Sequence, residues 1–420
     1  MNPDQMTLQR LASWPAVNDL VGKRPDRRWG RASLTTRRSD GDSIASWFEH
    51  YTAEGRVRQV REAILDRKPW SQLMRVYIPK KPGSSDLRAI DMPTVLDQAV
   101  LYLLHDWSHA THVLTRIAVG FRRGVQMHHT VLNAYAAMRK RPFVAVIDIA
   151  GFFDSIDWHL VDRIIRRLPA DQDVQDLLGR LVRVEVVERL SGARMERRQG
   201  IPQGLSVSPV LANLVLDEFD RGAGHALSRL GVGLRRYCDD IIVISPSMAA
   251  GAKAVVIVRD RLERLGLTVK QGTGNLVDTR EQAAVWLGVS FGPDGLAVPE
   301  AAIEAKAARL QAKLDQGVLD AKGVEDSLMS LDQHYRRIIG PERSQAVVLS
   351  IKGDLALPVV PHVRKEGAER LRQLAGERHH RGHMYPRALP YGKPDDVDAN
   401  SAQGPQEDLG IERSEQCQHA

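Results

Sequence analysis

Two short apolar strands that end in aspartates constrain this chain more than any other feature. Phe143 to Ile149 is nearly continuous apolar and β-branched, as expected of a strand buried on both faces, and Asp148 closes it. Further along, Gly231 to Gly233 leads into two strand halves, Leu234 to Tyr237 and Ile241 to Ser245, with Asp239-Asp240 between them. A plain hairpin would carry Asn-Gly or Asp-Gly at that turn. Pairing of these strands would bring Asp148, Asp239 and Asp240 to one edge of a sheet. Carboxylates so close repel one another, and at least one takes up a proton unless a hard divalent cation neutralises them. Oxygen-only ligands favour Mg²⁺, with Mn²⁺ as the alternative. Two such ions about 3.5–4 Å apart would activate a hydroxyl and stabilise charge on a leaving group.

The rest of the composition narrows the setting. A chain of 420 residues can bury a substantial core in two or three lobes, and its 43% hydrophobic and 26% charged content is that of a globular protein. A net charge of +7 and a pI near 9.4 favour a polyanionic partner. Cys238 and Cys417 are too few for a disulfide framework or a Cys-rich zinc site, which fits a reducing cytoplasm. Asp4, Arg10 and Asp19 interrupt the N-terminus, so no signal peptide is expected. No run reaches the roughly 18 apolar residues of a membrane span. The expectation is a soluble cytoplasmic protein without a membrane partner.

Arg27, Arg28, Arg31, Arg37 and Arg38, between about Gly22 and Asp42, read as an exposed basic segment. Met74 to Ile78 and Leu87 to Ile90 read as strands of a basic hairpin around Lys80 to Ser85, followed by a helix carrying Leu96, Val100, Leu101 and Leu104. Leu160, Ile164, Ile165 and Leu168 have helical spacing, and Pro209 starts a helix through Val210, Leu211, Leu214 and Leu216. Val255 to Leu265 predicts a helix stopping at Gly266, and Ala284 to Phe291 predicts a strand. Glu300 to about Gln316 is a long amphipathic pattern, and helical signals persist to about Leu374. From about Glu377 the chain reads as a disordered tail, with His379, His380 and His383 as a surface cluster rather than metal ligands.

Tyr237-Cys238-Asp239-Asp240 resembles the signature of reverse transcriptases, an aromatic, any residue and two aspartates. The block from Phe143 to Trp158 resembles the family's first metal-binding motif. Arg198 to Pro209, with Pro202-Gln203-Gly204 inside it, is similar to its Pro-Gln-Gly loop and lies between the other two in the expected order. The resemblance implies that Asp148, Asp239 and Asp240 are catalytic and hold the metal, with the Ile149 carbonyl as a further oxygen. It implies that Gln203 and Gly204 touch nucleotide and template, and that Lys81 and Arg88, with Lys80 beside them, clamp the triphosphate. Phe153 stands where the family carries an aromatic that collides with a ribose 2′-hydroxyl. Cys238 reads as a small buried spacer.

Val119 to Gly124, with His128-His129 after it, resembles the Gly-Phe-Arg segment of group II-intron-like enzymes. Leu262 to Val269 resembles the next motif, but Thr273-Gly274 replace its Lys-Thr and Lys270 is out of register, which leaves a lysine general acid unassigned. Trp286 to Val289 looks like the primer-grip hairpin. The implied fold is α+β, a right-hand polymerase: an N-terminal extension over 1–70, fingers over 71–142, a palm with a fingers insertion over 143–298, a helical thumb over 299–375 and a tail over 376–420. The implied activity is RNA-directed DNA synthesis, with an RNA template, deoxynucleoside triphosphates and a DNA product. Stand-alone bacterial enzymes with Tyr-Cys-Asp-Asp imply a structured non-coding RNA template and antiphage defence. Alternatives are an RNA-dependent RNA polymerase, a template-independent nucleotide polymerase, a maturase-like or retron-like RNA-binding reverse transcriptase, and a maturase-like RNA-binding protein whose catalysis is incidental.

Overall fold

The computed structural model describes residues 5–22, 37–68, 70–80, 85–111 and 114–355. These all fall within one compact unit. The chain opens with helices α1 (Leu8–Leu11), α2 (Trp14–Val21), α3 (Ile44–His50) and α4 (Ala53–Leu65), each started by a Ser or Thr N-cap residue. Strands β1 (Leu73–Pro79) and β2 (Leu87–Met92) form the basic hairpin, and α5 (Val95–Thr111) and α6 (Met127–Met138) follow. Then come β3 (Phe143–Asp148), α7 (Phe152–Ser155), α8 (Trp158–Ile165), α9 (Gln172–Val182), β4 (Val186–Glu188) and β5 (Arg194–Met195). Pro209 sits in the first turn of α10 (Ser208–Val215), where its missing N–H costs no helical bond, and α11 (Asp217–Ser228) continues from it.

The central sheet is built from β3, β6 (Gly233–Tyr237), β7 (Asp240–Ser245) and β8 (Leu276–Asp278) in the order β6-β7-β3-β8, antiparallel throughout. Helix α12 (Met248–Glu263) joins β7 to β8. Alternation along β3 and β7 feeds two separate cores. Ala145, Ile147, Ile241 and Val243 enter the main one, while Val144, Ile242 and Ile244 pack with Trp286 and Phe291 in the second. A strand buried on both faces is therefore what the apolar run produces. A second sheet, β2-β1-β4-β5, holds the hairpin, and a third, β11-β10-β9, is made of β9 (Ala284–Trp286), β10 (Val289–Gly292) and β11 (Gly295–Ala297). Helices α13 (Glu300–Asp315), α14 (Ala321–Ile339) and α15 (Pro341–Gly353) surround their own apolar cluster of Leu310, Val324, Leu328, Val347 and Ile351.

Several sequence expectations need correction. Ala284 to Phe291 is two strands, because Leu287 at φ 52° and Gly288 at φ 74° make a left-handed turn that reverses the chain. Helix α12 starts at Met248, earlier than its apolar spacing indicated, because Ser247 caps it by accepting from the Ala250 N–H. Arg38 is buried rather than exposed, and its guanidinium donates to the Pro93 carbonyl and to Gln98. The other arginines at 27, 28 and 31, Lys81, the helical signals beyond 355, the histidines at 379, 380 and 383 and the tail lie outside the described residues. Among the described residues, no helix is long and apolar enough to cross a membrane.

Candidate active site at the aspartate turn

Register, not proximity in sequence, brings the aspartates together. Asp148 is the direct cross-strand partner of Asp240, and Asp240 is also the partner of Tyr237. Direct partners in an antiparallel pair have Cα atoms only about 4.5–5.5 Å apart. The tip of the hairpin is Cys238-Asp239, so Asp240 belongs to the strand itself. Cys238 takes the left-handed conformation at φ 58° and is buried. Burial pushes its thiol up to about 12, so it stays protonated and inert, as a spacer would.

The carboxyls carry the electrostatic signature of crowding. Burial first, then the charges of Asp148 and Asp239, pushes Asp240 up to about 7. Asp239 is also raised, chiefly by burial, with Asp148 adding to the rise and Arg88 opposing it. A loop from Thr268 to Gly274 runs beside β3: the Ala150 N–H donates to Thr268, the Lys270 N–H to Asp148, and the Gly274 N–H to Val146. This pairing sets Lys270 Nζ 2.8 Å from Asp148 Oδ2. Both side chains are partly open to solvent, so water screens the pair. Sequence register had put Lys270 aside; an irregular strand, invisible to periodicity, delivers it to the first aspartate.

The donor set suits a hard divalent cation, since it is carboxylate oxygen alone and its mutual repulsion is of the kind a cation relieves. The expected convergence of three free carboxylates is nonetheless not preformed. Among the described residues, no group of three or more His, Cys, Asp or Glu side chains is arranged to hold a metal ion. The Asp148 carboxylate is instead turned to the Lys270 ammonium. The carbonyl of Ile149, the other suggested ligand, takes no part in the two bonds that pair Ile149 with Val269.

The Pro-Gln-Gly loop lies against both the hairpin and the segment after Asp148. The Asp91 N–H donates to the Gln203 carbonyl at 2.6 Å, and the Ile201 N–H donates to the Phe153 carbonyl at 2.7 Å. Gly204, at φ 106°, approaches so closely that a Cβ would stand 2.9 Å from both the Asp91 carbonyl oxygen and Ile90 Cγ2. Gln203 Nε2 reaches Asp154 Oδ2 at 3.4 Å. Phe153 is half-buried and meets the buried Phe152 edge-on, with ring centroids 5.5 Å apart. The hairpin is anchored by a fork of Arg75 onto the fully buried Asp91, at 2.7 and 3.0 Å. Arg88 on β2 is exposed. The structure thus groups Asp148, Asp239, Asp240 and Arg88 by charge, and Phe153, Gln203 and Gly204 by backbone contact; Lys81 lies outside the described residues.

Sequence reasoning also missed residues behind the turn. Arg236, Asp220 and Asn213 form a buried polar cluster, and Gly120 packs on Tyr237 and Cys238. The one available signal was Arg236 itself, which shares the inward alternation of Leu234 while its neighbour Arg235 faces out.

Comparison with known proteins places these features. The family model for the reverse transcriptase (RNA-dependent DNA polymerase) matches residues 78–289, half of the chain, and includes the aspartate turn and the Pro-Gln-Gly loop. Among similar proteins, YkfC of Escherichia coli strain K12 is 30% identical over 158 residues, covering 35% of this chain and 39% of that protein. The retron Ec86 reverse transcriptase of Escherichia coli is 28% identical over 191 residues, covering 45% and 52%. The group II intron-encoded protein LtrA of Lactococcus lactis subsp. cremoris is 26% identical over 174 residues, covering 40% and 28%. The match thus spans about half or less of each relative's own length. From Ile78 to Val289, in sequence and in the order of its motifs, the chain belongs to the reverse transcriptase family.

Proposed function

We propose that this chain is an RNA-directed DNA polymerase whose reaction is nucleotidyl transfer at the aspartate turn. The observation that carries the reading is the pairing of Asp148 with Asp240 beside the left-handed Cys238-Asp239 tip, inside the region that matches the family. The α+β arrangement, with an antiparallel central sheet and a helical end, is that of a right-hand polymerase. Residues 71–142 serve as fingers, 143–298 as palm with a fingers insertion and 299–355 as the described part of the thumb.

Asp148, Asp239 and Asp240 are the residues to hold Mg²⁺, or Mn²⁺ in its place, which when bound lowers the pKa of the primer 3′-hydroxyl and stabilises charge on the departing pyrophosphate. The chain's own side chains supply the rest. Arg88, with Lys81, binds triphosphate oxygens, the guanidinium as a fork and the ammonium as a point charge. Gly204 lets the loop backbone close onto the hairpin while Gln203 faces nucleotide and template. Phe153 fills the space that a ribose 2′-hydroxyl would need. The net charge of +7 favours the RNA–DNA hybrid as partner, gripped through its backbone and A-form shape.

The reading extends to a structured non-coding RNA as template and to antiphage defence in the cytoplasm, by analogy with stand-alone enzymes carrying Tyr-Cys-Asp-Asp. Sequencing the nucleic acid that co-purifies with the full chain tests this part: one structured RNA with complementary DNA supports it, and unrelated cellular RNA counts against it. Primer extension on an RNA template tests the activity. Incorporation of deoxynucleotides by the wild type, lost in Asp239→Ala/Asp240→Ala with RNA affinity within a few-fold, is expected. Preference for ribonucleotides, or extension without template, would overturn the assignment.

A further inference from the structure

The aspartate turn carries a backbone conformation that is uncommon for a residue with a Cβ. Cys238 adopts a left-handed conformation that residues with a Cβ rarely hold without support. Its support comes from Arg236, two residues earlier on β6 and with no solvent exposure. The guanidinium forks onto Asp220 of α11, with Nε 2.8 Å from Oδ1 and Nη2 2.6 Å from Oδ2. Its remaining nitrogen, Nη1, donates to Asn213 Oδ1 of α10 at 2.8 Å and to the Cys238 carbonyl at 2.9 Å. Asn213 Nδ2 in turn donates to the Gly120 carbonyl at 2.9 Å. The backbone of Arg236 is tied on the same side, its N–H donating to Ile117 and its carbonyl accepting from Val119, both at 2.8 Å.

A buried Arg–Asp pair contributes little net stability, because desolvation of both ions offsets their attraction and an apolar pair of similar volume serves as well. What an apolar pair lacks is a donor for the Cys238 carbonyl. That carbonyl belongs to the peptide that also carries the Asp239 N–H, so holding it fixes where Asp239 begins. Asp220 orients the guanidinium from one helix, Asn213 from another, and the fork geometry leaves one N–H aimed at the turn.

We infer that Arg236, held by Asp220 and Asn213, is a positioning residue that sets the conformation of the Cys238-Asp239 peptide and thereby the reach of the Asp239 carboxylate. The inference rests on the polymerase reading of the turn, but its geometry can be probed without activity. Cys238 reports directly: in a Cys417→Ser background it is the sole thiol, and it is buried at the clamped peptide.

The test is the pair Arg236→Met/Asp220→Leu, which removes both charges and strands neither. Expected are a cooperative thermal transition at a modestly lower midpoint, since the buried Asn213 Oδ1 and Cys238 carbonyl lose their donor, an unchanged Kd for primer–template, a kcat lower by about 10- to 100-fold as for a lost charge-assisted bond, and faster labelling of Cys238 by a thiol reagent. Arg236→Lys keeps a charge opposite Asp220 but cannot serve Asp220, Asn213 and the carbonyl in one plane. It guards against misfolding of the double variant and is expected to show the same two changes. Wild-type kcat together with wild-type labelling in either folded variant overturns the inference. If the wild type incorporates no nucleotide while labelling still accelerates in the variants, the positioning role stands and the polymerase reading falls.

Discussion

Gly120→Ala adds one methyl group directly behind the aspartate turn. The glycine's φ lies outside the left-handed region, so alanine suits its backbone; the conflict is purely one of space. The new Cβ would stand 2.8 Å from Tyr237 Cγ, 2.9 Å from the Cys238 nitrogen and 3.0 Å from Tyr237 Cα. Carbon atoms rest at about 3.5–4.0 Å, so one side must retreat by roughly 0.7 Å or more. Two of the opposing atoms are backbone of the turn, which leaves no flexible side-chain end to give way. Overpacking of this kind costs about 1–3 kcal/mol, and each kcal/mol lowers the thermal midpoint by about 2–4 °C in a large domain. Because a misplacement near 1 Å can cost about 100-fold in rate, kcat in primer extension should fall by about 10- to 100-fold, with Kd for primer–template within about twofold. Gly222→Ala is the control. Its Cβ would meet only the guanidinium of Arg261, at 2.8 Å from Nη1, which can swing aside. Normal kcat in a folded Gly120→Ala would refute the claim that the turn's position limits the rate.

Three further outcomes follow from the site. In metal-free protein the Asp240 carboxyl, raised from 3.8 to about 7, keeps a proton that the unfolded chain has released between those values, so it makes stability fall as pH rises through that window. At about 1.4 kcal/mol per pH unit the ceiling is about 4 kcal/mol before solvent relaxation. Thermal midpoints in EDTA, taken as wild type minus Asp240→Asn, should decline from pH 4 to 7, and saturating Mg²⁺ should flatten the decline; a rise would show the sign to be wrong. Lys270→Met frees the Asp148 carboxylate, so less Mn²⁺ should be needed for half-saturation in an EPR titration, while stability changes by no more than about 1 kcal/mol because the pair is solvent-screened. An unchanged titration would mean that Lys270 does not compete there. Phe153→Val should lower the preference for deoxynucleotides over ribonucleotides by at least about 10-fold in kcat/KM, about 1.4 kcal/mol; retained preference would place the sugar discrimination elsewhere.

The central sheet was readable because its signal is local. Val144 to Ile147 and Ile241 to Ile244 are apolar at every position, which is what two cores on opposite faces demand, and the pairing of Asp148 with Asp240 follows once those strands align. Residues whose partners are remote in sequence were not readable. Lys270 reaches Asp148 through an irregular strand with no periodicity, and the ion pair links residues 122 positions apart. Arg236 looked like one more basic residue of the Arg235-Arg236 pair, yet it has no exposure while Arg235 is exposed and bonded to the Leu234 carbonyl of its own strand. Alternation along β6 separates the two, but only the positions of Asp220 and Asn213 on neighbouring helices explain why a charge is tolerated inside. The Leu287-Gly288 reversal was legible only through the resemblance that made Trp286 to Val289 a hairpin: by apolar pattern alone Ala284 to Phe291 reads as one strand, and Leu287 in a left-handed conformation is an uncommon turn residue.

Anomalous scattering from Mn²⁺ in crystals of the full chain with an RNA template, a DNA primer and an unreactive deoxynucleotide is the most direct measurement. Expected are peaks contacted by carboxylate oxygens of Asp148 and Asp239, with Asp240 beside them and Lys270 released from Asp148. Peaks elsewhere, in a complex whose primer terminus and nucleotide are both ordered, would contradict the assignment of this turn as the catalytic centre.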